Sequence, residues 1–175
     1  MTSDMKPTKH IEYLTKRALK RMWTIRRLKG AGCCNEDLIM MYESIIRSVL
    51  ETACPVFHPQ LNIENTTDLE RIQKIFCKIV LAEKYEDYNE ACTLLNLETL
   101  SNRREALCLN FGWKCVQSQK HRGMFPKNET VNNNQRNPSV FSVPFAHTDR
   151  YAKTSIPYIA NLLNKDAAKC KNTSK

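Results

Sequence analysis

The sequence predicts an all-α protein: an irregular bundle of about five helices, with a long polar loop and a short C-terminal helix. Three observations carry this expectation. Apolar residues recur at three- and four-residue steps over long stretches, which is the pattern of helices with one buried face. Four glycines in 175 residues leave few of the tight turns on which β-sandwiches depend. Hydrophobic residues make up 42% of the chain, enough to build a core.

The first helix is expected over 8–29. Ile11, Leu14, Ala18, Met22 and Ile25 recur on one face, followed by Leu28, and Gly30 and Gly32 stop it. Asn35 is a candidate cap for a second helix over 36–53. Its buried stripe is read as Leu38, Met41, Tyr42, Ile45, Val49 and Ala53, widened by Ile46 and Leu50. Pro55 is expected to end it, because proline disfavours helical geometry in the preceding residue. The stretch QLNIENTT reads as a loop. A third helix then starts at Thr67 or Asp68, with Leu69, Ile72, Phe76, Ile79 and Val80 as its core face.

A short helix near 88–96 and a longer one near 99–119 complete the helical domain expected over 9–119. Leu100, Leu107, Phe111 and Cys115 mark the inner face of the longer one, and Thr99 or Ser101 its cap. Residues 1–8 read as a disordered N-terminus. Residues 120–149 read as a polar linker, rich in Asn and broken by Pro126 and Pro138. A final helical segment over 150–164 is capped by Ser155, with Pro157 in its first turn, where a missing N–H costs little. Residues 165–175 read as a disordered basic tail.

The charge is concentrated. The chain carries +9 overall, and residues 1–30 alone hold nine Lys or Arg against Asp4 and Glu12, a net +7. Such a patch suits a polyanion, most often nucleic acid; an ordinary solvated basic face is the plainer alternative. Lys16, Lys20 and Arg27 fall along one side of the first helix, with Arg17 and Arg21 beside them and Arg26 nearby. Each is a candidate phosphate contact. Trp23, Trp113 and Tyr151 are candidates to stack on bases, although tryptophan at helical spacing more often fills a core. Arg103 and Arg104 form a second basic spot, or pair with Glu98 or Glu105.

Catalytic and metal chemistry find less support. Eight cysteines are present, without any C-x₂-C pair of the kind that builds zinc sites. Cys54 and His58 are four apart in CPVFHP, but Pro55 and Pro59 break the helix that would align them. The stretch reads better as a structural corner, with Val56 and Phe57 folded onto the core. No phosphate-cradling glycine motif and no H-E-x-x-H occurs. Two-metal polymerase chemistry needs paired aspartates, and the chain has no Asp-Asp. No metal and no cofactor is expected. The N-terminal residues lack an apolar run, and no stretch approaches the ~20 apolar residues of a membrane span. The expectation is an intracellular protein, cytoplasmic or nuclear, with reduced thiols and no membrane partner.

Several stretches also fall in a telling order. RALKRMWTIRRLKG is followed by DLIMMYESIIRSVLETACPVFHPQL, DLERIQKIFCKIVL, YNEACTLLNLETLSNRREALCLNF and RYAKTSIPYIANLLN. The succession, over about residues 9–164, resembles the C-terminal region of reverse transcriptases of non-LTR (LINE-type, jockey-like) retrotransposons: the thumb and its downstream extension. The family commonly has an aromatic residue and a Trp where this chain has Thr52 and Phe57. The family's catalytic aspartates belong to an upstream palm that this sequence does not contain, and the zinc-knuckle spacing of some relatives is missing too. The resemblance therefore implies descent from an RNA-directed DNA polymerase, with no polymerase activity in this chain alone. It implies weakly sequence-selective contact with an RNA or DNA backbone through Lys16, Arg17, Lys20, Arg21, Arg26 and Arg27, and a missing palm as a further partner. The alternative is a helical protein–protein interaction module without catalysis.

Overall fold

A computed structural model describes residues 7–128 and 139–173, with side chains to residue 169. The N-terminal residues 1–6, the middle of the expected linker (129–138) and residues 174–175 lie outside the described residues. Among those described the chain is all-α, and the one β-type pairing is an isolated antiparallel bridge between Lys127 and Phe141. The chain divides into two compact units. The first comprises Met1–Cys54 and Leu61–Arg104, the second Pro55–Gln60 and Glu105–Lys175.

In the first unit, α1 (Thr8–Gly30) buries Ile11, Leu14, Ala18, Met22 and Ile25, the face expected from their spacing. It packs on α5 (Ile63–Leu81) and on the segment Asn35–Leu50. That segment is not one regular helix. It runs as α2 (Asn35–Met41), a π-helical stretch (Tyr42–Arg47) and a last turn α3 (Ser48–Leu50). The Ser48 N–H bonds the Glu43 carbonyl five residues back. This wider turn shifts the buried face. Leu38, Tyr42, Ile46 and Leu50, at strict four-residue steps, are the fully buried positions, while Met41 and Ile45 are half-buried and Ala53 is exposed.

Other element ends differ from expectation for local reasons. Cys34, with extended backbone, occupies the cap position of α2, and Asn35 is already helical. The helix stops at Leu50. A turn then places Ala53 at φ 59°, so Pro55 opens the new one-turn helix α4 (Cys54–Phe57) instead of ending the old one. α5 starts at Ile63, because the Asn62 side chain accepts the Asn65 N–H at 2.7 Å and caps it. Ile63 is 87% exposed, so apolar periodicity carried no sign of that first turn. α6 (Tyr88–Leu94) and the start of α7 (Leu100–Gln117) complete the unit.

The core of this unit contains two polar arrangements. Tyr42 stacks on Phe76 with ring centroids 4.1 Å apart, and its hydroxyl donates to Gln73 Oε1 at 2.9 Å. Gln73 in turn donates to the Glu98 carbonyl at 2.8 Å, so this buried amide is satisfied on both sides. Burial holds the Tyr42 phenol well above its ordinary pKa. The second arrangement centres on Glu70 of α5. Its carboxylate accepts the N–H groups of Leu100 (3.3 Å) and Ser101 (2.6 Å) at the start of α7, and the Tyr88 hydroxyl. It also faces the Arg104 guanidinium at 3.6 Å, and Arg104 is 1% exposed. A carboxylate at a helix N-terminus is favoured by both the free N–H groups and the dipole. The Tyr88 phenol is raised by burial, then by its bond to Glu70. Burial also pushes the Cys77 thiol up to about 12, so it stays protonated and unreactive near neutral pH.

The inner face of α7 runs through Leu100, Arg104, Cys108, Gly112 and Cys115, not through Leu107 and Phe111; Phe111 is 38% exposed. The sequence misled here because a charged residue and a glycine occupy buried positions. Arg104 goes inside because Glu70 meets it. Gly112, in the second unit, is needed because α9 (Ser155–Thr173) comes so close. A Cβ there would stand 2.6 Å from Ile159 Cγ2 and 3.2 Å from both Leu163 methyl groups. Gly112→Val is therefore expected to lower stability by about 1–3 kcal/mol through overpacking. Urea unfolding followed by circular dichroism measures this, and Gly123→Ala, where an added Cβ meets nothing, serves as the control.

In the rest of the second unit, the polar stretch is anchored at both ends of its undescribed middle. Phe125 and Phe141 are each 2% exposed. The Asn128 N–H donates to the Val140 carbonyl at 2.9 Å and the Ser142 N–H to the Pro126 carbonyl at 2.8 Å. Asn164 of α9 clamps Phe141 by accepting its N–H at 2.8 Å and donating to its carbonyl at 2.9 Å. Ahead of α9, α8 (Asp149–Ala152) is capped by the Thr148 hydroxyl, which accepts the Tyr151 N–H. Ser155, the expected cap of α9, is already its first helical residue, and its hydroxyl donates to the Val56 carbonyl at 3.3 Å. Pro157 sits in the first turn as expected. The helix continues to Thr173, where a frayed tail was expected from 165. No Gly or Pro interrupts 165–173, and Asp166 is held by the Trp113 indole N–H at 3.0 Å.

Candidate nucleic-acid interface

α1 supplies the most concentrated charge of the described chain. Packing fixes one side of this helix through its buried stripe, so the opposite side faces outward. On it lie Lys9, Tyr13, Lys16, Lys20, Trp23 and Arg27, spaced by alternating steps of four and three. Residues so spaced share one helix face. All six are exposed, Tyr13 to 56% and Trp23 to 59%. Arg17 flanks the stripe and its Nη1 donates to the Tyr13 hydroxyl at 3.3 Å. The Arg27 guanidinium lies over the Trp23 ring, 4.9 Å from its centroid. Arg26 is exposed on the other flank.

Glu12 is the lone acidic residue of α1. Among the described residues Lys16, Lys20, Arg26 and Arg27 form no ion pair with a carboxylate. Like charges one turn apart, as at Lys16 and Lys20, each destabilise a helix by about 0.2–0.5 kcal/mol. That cost is relieved when an anion binds. Arg27 and Lys29 are placed well for the fold itself, since cations in a last turn suit the helix dipole. Arg21 stands apart from the other candidates. It is half-buried, and its Nη1 donates to the carbonyl of Ile45 in the π-helical stretch. It ties α1 to its neighbour.

The remaining candidates are taken up by structure. Arg103 pairs with Glu51 through Nε and Nη2, and that bond raises the guanidinium pKa further. Arg103 and Arg104 thus find Glu51 and Glu70 across the fold. Trp113 is half-buried, with its N–H on Asp166 and its ring edge-to-face with Phe141 at 5.8 Å, so it is a core residue. Tyr151 is 42% exposed on α8. Cys54 is buried in the first unit, its thiol donating to the Arg104 carbonyl at 3.6 Å. His58 belongs to the second unit and bonds the Tyr158 hydroxyl at 3.2 Å. At the same corner Phe57 is buried as expected, whereas Val56 is 49% exposed. Among the described residues no three His, Cys, Asp or Glu side chains are grouped to hold a metal. No helix of the described residues is long and apolar enough to cross a membrane.

In comparison with known proteins, no family model matches the chain, and no curated protein or solved structure matches it significantly.

The sequence reading singled out Lys16, Lys20 and Arg27 but passed over Lys9 and Tyr13. The signal that would have found them was present: both continue the same alternation of four and three toward the N-terminus.

Proposed function

We propose that this chain binds the sugar–phosphate backbone of nucleic acid through the outer face of α1, as a thumb-like piece of the reverse-transcriptase lineage it resembles, without polymerase chemistry of its own. The observation that carries the reading is the stripe itself: four exposed cations in register, unpaired with carboxylates among the described residues, interleaved with two exposed aromatic rings. Arg17 and Arg26 widen it. Phosphate contacts of this kind position a nucleic acid and carry little sequence information.

Fluorescence anisotropy titrations at two salt concentrations test it. If the four stripe cations together with Arg17 and Arg26 each meet a phosphate of duplex DNA, log affinity falls against log salt with a slope of about −5.4. The triple variant Lys16→Glu, Lys20→Glu, Arg27→Glu is expected to lose at least about 2–3 of that slope and most low-salt binding. No binding by the native chain at low salt sinks the proposal. RNA, DNA and hybrid duplexes in parallel rank the ligands.

One observation favours a second reading, an interaction module. Ile39, Met40, Leu94 and Leu95 line a groove beside Glu36 and Glu43 in the first unit, and Met40 and Leu94 are 61% and 63% exposed. An apolar groove with an acidic rim suits a basic amphipathic helix of a partner protein. Met40→Glu together with Leu94→Glu abolishes such binding and leaves nucleic-acid affinity unchanged.

A further inference from the structure

The outer face of α1 has more internal order than a phosphate track requires. Its six residues form two blocks, each a ring bracketed by cations: Lys9–Tyr13–Lys16 and Lys20–Trp23–Arg27. In each block the two cations are seven residues apart, about 10–11 Å along the helix axis. The rings are ten residues apart, about 15 Å. Both rings are more than half exposed, on a helix whose Ile11, Leu14, Met22 and Ile25 are at most 2% exposed. Each ring also carries an arginine: Arg17 at the Tyr13 hydroxyl, Arg27 over the Trp23 face.

We infer that this face takes a single nucleic-acid strand, with bases stacked on Tyr13 and Trp23 and the flanking phosphates on Lys9, Lys16, Lys20 and Arg27. The inference rests on the nucleic-acid reading above and narrows it. In a duplex the base faces are stacked on one another and closed to side chains, so two exposed rings add nothing to duplex binding. In a single strand each unpaired base offers a π-face, and aromatic platforms between cations are the usual way to hold it without sequence preference. The arginines at each ring place positive charge beside the stack, which strengthens it.

The test uses the full chain with labelled oligouridylate, oligodeoxythymidylate and a blunt DNA duplex, each of about 12 nucleotides, within the site size of single-strand binders. Single strands are expected to bind at least about tenfold tighter than the duplex at the same salt. Trp23→Ala is expected to weaken single-strand binding about tenfold while leaving the salt slope unchanged, because a ring is lost and no phosphate contact is. Trp23→Phe keeps the affinity and removes the quenching of tryptophan emission that accompanies binding in the native chain. The RNA and DNA arms show which sugar is preferred. A duplex that binds as tightly as the single strands, or a Trp23→Ala variant with native affinity, overturns the single-strand inference and leaves backbone binding standing. Failure of all three probes to bind at low salt overturns both.

Discussion

Glu70→Ala is expected to be the most damaging single substitution in the first unit, at about 3–5 kcal/mol. The carboxylate does three things at once. It accepts two N–H groups at the start of α7, it accepts the Tyr88 hydroxyl, and it faces the guanidinium of Arg104, which is 1% exposed. Removing it takes away the countercharge of a buried cation. The penalty for burying a charge is retained while the attraction that offset it is lost. Glu70→Gln separates the parts. The amide retains an acceptor for the helix start but no charge, so it is expected to recover only a fraction of the loss. Guanidinium chloride unfolding of the two variants checks this. A Glu70→Ala protein within about 1 kcal/mol of native stability would mean that Arg104 is held chiefly by other groups.

Phe141→Ala is expected to cost about 3–5 kcal/mol in the second unit. Phe141 is 2% exposed, its ring meets Trp113 edge-on, and its backbone is held on both sides by Asn164. Truncation leaves a cavity beside Trp113, and the polar stretch loses one of its two buried aromatic anchors. Trp113 reports the change directly: its emission is expected to shift toward that of a solvated indole, while exposed Trp23 gives a constant background. Thermal unfolding supplies the magnitude.

Where a helix was amphipathic by simple alternation, the residues alone revealed it. The buried stripes of α1 and most of α5 were legible, and so was the basic outer face of α1, because charge and periodicity point the same way there. The misreadings on α7 share one cause, a partner distant in sequence that changes what a residue can do. Arg104 is a surface residue by type and a core residue in fact, because Glu70 lies across from it. Gly112 breaks an apolar pattern because α9 leaves no room for a side chain. In the Asn35–Leu50 segment a single widened turn moved the inner face from Ile45 to Ile46, and periodicity at 3.6 residues has no means of marking such a turn. The candidate site was legible in its cations and less so in its rings. An aromatic residue is read by default as core, and only the packed structure shows that Trp113 is half-buried, held by Phe141 and Asp166, while Trp23 is exposed.

The way the two units share the chain has a consequence for biosynthesis. The whole of the first unit, whose stretch of chain is interrupted only by Pro55–Gln60, has been made once Arg104 is added. That unit can assemble while translation continues. Pro55–Gln60 emerges early but belongs with residues 105–175, which arrive over several further seconds at about 5–20 residues per second. During that interval Phe57 has no completed core to enter. A nascent chain halted shortly after residue 104 would therefore carry one finished body and one orphaned apolar turn, the sort of surface that recruits a chaperone until the C-terminal helix appears.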